Sequence, residues 1–289
     1  MSWLSKRLLL GHLRTGPTVL LPAKPSPAAL LVVLRLADPD AHADGDDIVL
    51  TGIRVKAGLE LTEEELRKLL ITDEDHLWAQ RVVADGPLPV NGLDKRLAEG
   101  IAYRLGGWAM TRGEMSDPTD DDSVGPVAYL GEMPPHEEMI SLLSDRLRPA
   151  ESLKPSWEEA GSAELLDGIA HRYQEGFAMY GGADILVSLT PTTEIPSAVR
   201  AVMPYASEVV RVDVRPFEDS EGTITLTGDE ALADTGAVAL AIADAFNGLA
   251  TDAWGFQIST PQDLLPPPPP NTTPPDATNP PDATPPDAT

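Results

Sequence analysis

Cysteine is absent from the 289 residues. That excludes disulfides, thiolate metal sites, iron–sulfur clusters and a thiol nucleophile. Aromatic residues are scarce, at 5 %, so aliphatic and alanine side chains have to fill any core. No apolar run approaches the ~18–20 residues that cross a bilayer. Histidine occurs five times, at His12, His42, His76, His136 and His171. None has a second histidine three or four residues on, so there is no helical zinc pair. Basic residues are also few, 21 against 46 acidic, for a net charge of −25 and a pI near 4.3. Such a surface repels phosphate backbones, and a nucleic-acid partner is not expected.

A hydrophobic share of 42 % is enough for a sizeable core. The length suits one large domain or two of about 100–150 residues. Composition and punctuation divide the chain into a basic lead-in at 1–27, a first α/β unit at 28–148, a connector at 149–161, a second unit at 162–265 and a Pro-rich tail at 266–289. In the lead-in, Trp3, Leu4, Leu8, Leu9 and Leu13 run alongside Lys6, Arg7 and Arg14. This amphipathic stretch is expected to dock on the chain's own acidic body or on a protein partner, rather than on a membrane. Gly11, His12 and Arg14 interrupt its apolar run, which disfavours a secretory signal. The tail has 11 prolines in 24 positions and three copies of Pro-Pro-Asp-Ala-Thr. Its composition predicts an extended, disordered segment, either solubilising or readable by a proline-binding groove.

Periodicity gives a coarse element order. Strands are expected at Ala28–Leu36, a continuous aliphatic run, at Ile48–Val55, at Trp78–Ala84 and at Trp108–Thr111. Thr62 and Glu65 read as a capping box. Asp94 opens a helix striped by Leu97, Ile101 and Leu105, which Gly106-Gly107 stops. A helix is expected over His136–Leu147. Another is read over Ser162–Tyr180 from Leu165, Ile169, Tyr173 and Phe177 at four-residue steps. Then come a strand at Asp184–Leu189, a short helix at Pro196–Met203, and a strand at Glu208–Arg215 with a partner strand at Thr223–Thr227. A helix over Asp234–Phe246 and a last strand within Leu249–Ile258 complete the order. The segment Leu97–Met110 lies over Val238–Thr251 with matching inward triplets and matching small-residue stops. The fold class read from this is α/β or α+β, with two similar β-α-β-x-α-β units and an internal duplication as one origin.

Chemistry-bearing motifs are thin. Asp38, Asp40, His42, Asp44, Asp46 and Asp47 crowd one segment, but its spacing fails the calcium-loop pattern at His42, Asp47 and Thr51. Asp117, Asp120, Asp121 and Asp122 form a second acidic loop. Both are read as solvated turns, so neither a metal nor a cofactor is expected. His136 is read as a helix-start residue and His171 as a solvent-edge residue of a helix. The binding candidates are Ser188, Thr190, Thr192, Thr193 and Glu194, which follow a strand and precede a helix, where α/β folds place ligands. The same residues could serve to cap that helix. The function read from the sequence is a non-enzymatic, cytoplasmic protein-binding or assembly module, reached through residues 1–14 or the tail. The alternative is a hydrolase or transferase using Asp/Glu and Ser/Thr at the strand ends. High Ala, Asp, Pro and Gly usage fits a GC-rich bacterial genome.

Overall fold

The structure is a computed structural model. It describes residues 10–85, 92–120, 124–150, 164–174, 176–217 and 226–267. The expected strand at Thr223–Thr227 falls largely outside these residues, as do the connector beyond Ala150 and the Pro-rich tail beyond Pro267. Among the described residues no helix is long and apolar enough to cross a membrane.

The fold is α+β, with two antiparallel sheets. The first is built from β1 (Thr18–Leu21), β2 (His42–Asp44), β3 (Asp47–Leu50), β4 (Ile53–Val55), β5 (Leu59–Thr62), β6 (His76–Ala84), β7 (Trp108–Thr111) and β8 (Glu114–Ser116). Its order is β2-β3-β4-β6-β1-β7-β8, with β5 also on β6. Helices α1 (Pro27–Ala37), α2 (Glu63–Lys68) and α3 (Leu93–Leu105) belong to it. The second sheet contains β9 (Val127–Leu130), β10 (Glu164–Leu166), β11 (Ile169–Gln174), β12 (Phe177–Gly181), β13 (Ile185–Thr192), β14 (Val209–Pro216) and β15 (Leu249–Thr251). It runs β10-β11-β12-β13-β14-β9-β15, with helices α4 (His136–Ser144), α5 (Ser197–Val202) and α6 (Gly228–Ala245). Every described ladder in both sheets is antiparallel, which removes the parallel α/β alternative.

Three local readings are corrected. Ala28–Leu36 is helix, within α1. Its aliphatic run fits a buried strand and a buried helix equally well, and the punctuation decides. Ser26 accepts the Ala29 N–H at 3.1 Å and Pro27 holds the first helical position. Ser162–Tyr180 is not a helix, because the described residues of this stretch form the strands β10, β11 and β12 of a meander. Residues four apart share a face in a strand as they do in a helix, so the stripe could not discriminate. The turn chemistry could. Asp167 (φ 50) and Gly168 (φ 79) are an Asp-Gly pair, the two-residue hairpin signal. Ile48–Val55 is two strands rather than one, turning at Thr51-Gly52. The boundary between sheets also shifts. β9 and α4 lie in the sequence-derived first unit, yet β9 pairs with β14 and β15 of the second sheet.

Other readings hold. At α2 the Glu65 carboxylate reaches back to accept the Thr62 N–H at 3.0 Å. On α3, Leu97 and Ile101 are buried, and on α6 Val238 and Ile242 are.

The ladders around β1 and β9 repeat from one sheet to the other. Thr18 of β1 lies between Arg81 and Met110, and Val127 of β9 lies between Asp213 and Thr251. Pro17 O accepts from Val82 N–H at 2.9 Å, and Pro126 O from Val214 N–H at 3.4 Å. Ile53 faces Ala84, and Ile185 faces Pro216. After the long helices, Gly107 N–H donates to Ala102 O at 2.8 Å and Gly248 N–H to Ala243 O at 2.7 Å.

Each sheet has an inner face under its long helix. Val19, Leu21, Ile53 and Val82 meet α1 and α3 in one cluster. Leu130, Val187, Val212 and Ile242 share another with α4 and α6. The halves are stitched by the segment after β15. Phe256 is fully buried against α3, where a Cβ on Gly100 would lie 2.3 Å from its ring. Arg104 Nη2 donates to Asp252 Oδ2 at 2.8 Å, while Asp252 Oδ1 accepts from Trp254 and Phe256 N–H at 3.0 and 2.9 Å. The Tyr103 hydroxyl donates to Leu264 O at 2.5 Å.

Candidate functional site

Alternation along a strand sends every second side chain to the outer face. In the first sheet that face carries Leu20, Leu61, Leu77, Ala79 and Met110, which pack with Leu13, Leu66 and Leu69. Leu13 is 3 % exposed, so this part of the amphipathic lead-in docks on the chain's own body. On the β2-β3-β4 meander the cations are tied down. Arg54 pairs with Asp44 at 2.7 Å and Lys56 with Asp47 at 2.9 Å. Burial opposes ionisation of Asp47, but Lys56, the Ala57 N–H and Arg54 hold its carboxyl below the usual value. Buried Asp38 accepts the Thr51 N–H at 2.6 Å and the Asp40 N–H at 3.0 Å. The acidic segment 38–47 is thus a hydrogen-bonded helix exit and hairpin, in which Asp38, Asp44 and Asp47 have roles in the fold.

The outer face of the second sheet is different. Across β9 and β15 it is covered by α5, through Val127, Tyr129, Val199, Val209 and Leu249. Across β11 to β14 it presents polar residues. The ladders set Arg172 opposite Met179, Met179 opposite Ser188, and Ser188 opposite Asp213. The next row sets Thr190 opposite Arg211, and Arg211 opposite Tyr129. Ser188, Thr190, Arg211 and Asp213 are all half-buried. Arg211 binds Asp213 through Nε at 2.9 Å and Nη2 at 2.6 Å. Burial works against the Arg211 charge, but Asp213, with Tyr129 and Glu194, raises its pKa above the ordinary value. Tyr129 is 5 % exposed, and burial raises its pKa, so it stays a donor at neutral pH. Arg96 of α3 meets Glu194 at 3.4 Å on the rim.

Of the five sequence candidates, the structure brings Ser188 and Thr190 onto this face and sets Glu194 beside it. Thr192 accepts the Glu194 N–H at 3.1 Å and so fixes the turn into α5. Neither it nor Thr193 caps that helix, whose N-cap is Pro196 without a side-chain bond. Thr193 is exposed. The residues that sequence reasoning missed are Tyr129, Arg172, Arg211, Asp213 and Arg215. For the last three the signal was the alternation of Val210, Val212 and Val214, which puts Arg211, Asp213 and Arg215 together on the other face.

Two further groupings lie elsewhere. His171 is a buried residue of β11, not the edge of a helix, and its ring centroid is 4.6 Å from that of His136. His136 Nδ1 is 3.0 Å from the Tyr180 hydroxyl, and the Tyr173 ring lies tilted to His136 with centroids 4.9 Å apart. A cavity of about 210 Å³ lies between Arg148, Asp184, Asp234 and Val238, and Arg148 forms a two-pronged ion pair with Asp184 across it. Among the described residues no group of three or more His, Asp or Glu side chains is placed to hold a metal ion.

Compared with known protein families, with curated proteins and with solved structures, the chain matches none.

Proposed function

We propose that this protein is a non-catalytic binding module that takes an extended, acidic segment of a protein partner along the outer face of its second sheet. One observation carries the reading. The strand residues of that face include Arg172, Arg211 and Arg215 against a single acid, Asp213, in a chain of net charge −25. Among the described residues Arg172 and Arg215 make no ion pair, whereas Arg54 and Lys56 on the meander of the first sheet are both paired. A concentration of uncompensated cations on an acidic body steers acidic partners to that place.

The adjoining edge supports the same reading. β10 is the last strand of its sheet among the described residues, and Leu165 on its outer face is 62 % exposed. An edge strand offers unpaired backbone groups to an extended chain, with side-chain pockets giving selectivity. Apolar Met179 and Phe177 of β12, both half-buried, lie between Arg172 on β11 and the arginines of β14. We also infer that the two halves arose by duplication of one β-α-meander-β-α-β unit. The repeated registers around β1 and β9 support this.

The test is isothermal titration of the full chain with a synthetic peptide of alternating glutamate and threonine, and with its glutamine counterpart. Saturable binding of the glutamate peptide alone is expected. It should weaken as salt rises toward ~0.15 M and vanish in the Arg172→Glu/Arg215→Glu variant. Equal binding of both peptides, or of neither, overturns the reading.

A further inference from the structure

The cavity on the helix-covered side of the second sheet brings charges of both signs over an apolar floor. The floor is Leu147, Ile185 and Val238, all buried members of the inner core. The rim is charged. Arg146 and Arg148 come from the chain just past α4, Asp184 from the residue before β13, and Asp234 from α6, one turn before Val238. Backbone bonds hold these walls in place. Ala183 N–H donates to Arg148 O at 2.9 Å, and Phe217 N–H donates to Asp184 O at 2.6 Å. Arg148 is engaged by Asp184 through two hydrogen bonds. That carboxylate raises the Arg148 pKa above its ordinary value, with smaller contributions from Asp234 and Glu230 of α6. Asp234 thus faces a guanidinium whose two-pronged bond goes to another acid. Among the described residues neither Arg146 nor Asp234 makes an ion pair or a side-chain hydrogen bond. The rim therefore holds one unpaired cation and one unpaired anion beside a neutral pair, in a chain of net charge −25.

We propose that this cavity binds a free α-amino acid with an aliphatic side chain. Its carboxylate goes to Arg146, its ammonium to Asp234, and its side chain to the floor of Leu147, Ile185 and Val238. A ligand of one charge fits less well. A simple anion would face Asp184 and Asp234, and a simple cation would face Arg146 and Arg148. A zwitterion supplies a partner to each unpaired group and leaves the Arg148–Asp184 pair intact. An apolar lining with a few placed polar groups is the usual make-up of a small-molecule site. At about 210 Å³ the cavity is smaller than the ~300–1,000 Å³ pockets of drug-sized ligands, and too small for a nucleotide. The inference is independent of the peptide reading above, because the arginine face lies on the other side of the sheet. Binding forms no covalent bond.

The test is ¹H–¹³C spectroscopy of the full chain with methyl-labelled isoleucine, titrated with L-leucine at neutral pH and constant ionic strength. The Ile185 signal, identified as the one lost in Ile185→Val, should shift saturably. Isoamylamine lacks the carboxylate of leucine and isocaproate lacks its ammonium. Each should bind about tenfold or more weakly than leucine. Asp234→Asn should weaken leucine by a similar factor and leave isocaproate no weaker. Arg146→Gln should weaken leucine likewise and leave isoamylamine no weaker. Both side chains are exposed, so these variants keep the fold. If leucine leaves Ile185 unmoved, or if either single-charge analogue moves it at the same concentrations, the inference is overturned. It also falls if either variant binds leucine as the natural chain does. The peptide titration reads the other side of the sheet, so its result neither rescues nor sinks this site.

Discussion

Gly107 and Gly248 occupy equivalent positions in their two sheets. Gly107 is the second residue past α3 and Gly248 the third past α6, and each lies against a carbonyl of the strand beside it, β1 or β9. A Cβ on Gly107 would be 2.2 Å from Leu20 O, and one on Gly248 would be 2.4 Å from Tyr129 O. The next obstacle also matches, Leu21 Cδ2 in one sheet and Leu130 Cδ2 in the other, at 2.6 Å in each. Neither glycine is needed for a left-handed backbone. That task falls to the residue before, Gly106 (φ 64) or Asn247 (φ 52).

Alanine at either glycine should therefore be poorly tolerated. The obstacle is backbone, which cannot turn aside as a side chain can. Gly107→Ala and Gly248→Ala are each expected to cost about 1–3 kcal/mol or more, read as a shift in the denaturant midpoint. A change under about 0.5 kcal/mol at either site would show that the helix and strand can part freely.

Ile101→Ala and Ile242→Ala should each cost about 2–5 kcal/mol, because both side chains are fully buried beneath their sheets. Equilibrium urea unfolding measures this. A loss below about 1 kcal/mol at one site and not the other would separate the two helices in their contribution to the core.

Arg104 and Asp252 form an ion pair with side chains 11 % and 2 % exposed. Burial raises the Asp252 pKa, against the pull of Arg104 and the two N–H donors of its turn. Asp252→Ala strands the guanidinium and two backbone donors, with an expected loss of about 3–5 kcal/mol. Arg104→Met/Asp252→Ala should lose less than Asp252→Ala alone, since no unpaired charge remains. An additive double mutant would show that the pair is not coupled.

Alkaline stability follows from the tyrosines. Burial is the main cause that moves Tyr103 up to about 12, and it raises Tyr129 and Tyr180 as well. The unfolded chain releases these protons near pH 10, its ordinary value, while the folded chain still holds them. The folded state then binds more protons, so stability is full below pH ~10 and falls as pH rises through ~12. Tyr103→Phe should flatten that fall when unfolding free energy is measured against pH. An unchanged slope would mean that Tyr103 ionises freely in the fold.

The long helices and the valine-rich strands were legible in the sequence, because a buried stripe leaves a period and Gly106-Gly107 or Asn247-Gly248 marks its end. Residues 28–36 were not, since a short run apolar on all sides carries no period, and only Ser26-Pro27 spoke for a helix. The segment 162–180 failed for the opposite reason. It carried a period of four that strands share, and Leu165 in that stripe proves to be exposed. The site was half legible. Ser188, Thr190 and Glu194 stood out by their place after a strand, while Arg172 and Tyr129 join them only through ladder registers that link β11, β12, β13, β14 and β9. Such pairings between distant segments leave no local trace.

Phe256 seals the core of the first sheet against Gly100, and that has a bearing on synthesis. The ribosome releases β1 to β8 long before residue 256 exists, so the emerging first half has an open socket on α3. Within each half the strand that comes first, β1 or β9, also waits for its flanking partners, Thr18 for Arg81 and Met110, and Val127 for Asp213 and Thr251. Contacts this remote in sequence close slowly. A nascent chain halted before Trp254 should accordingly expose apolar surface and attract chaperones. The finished chain should then melt in one cooperative step rather than one sheet at a time.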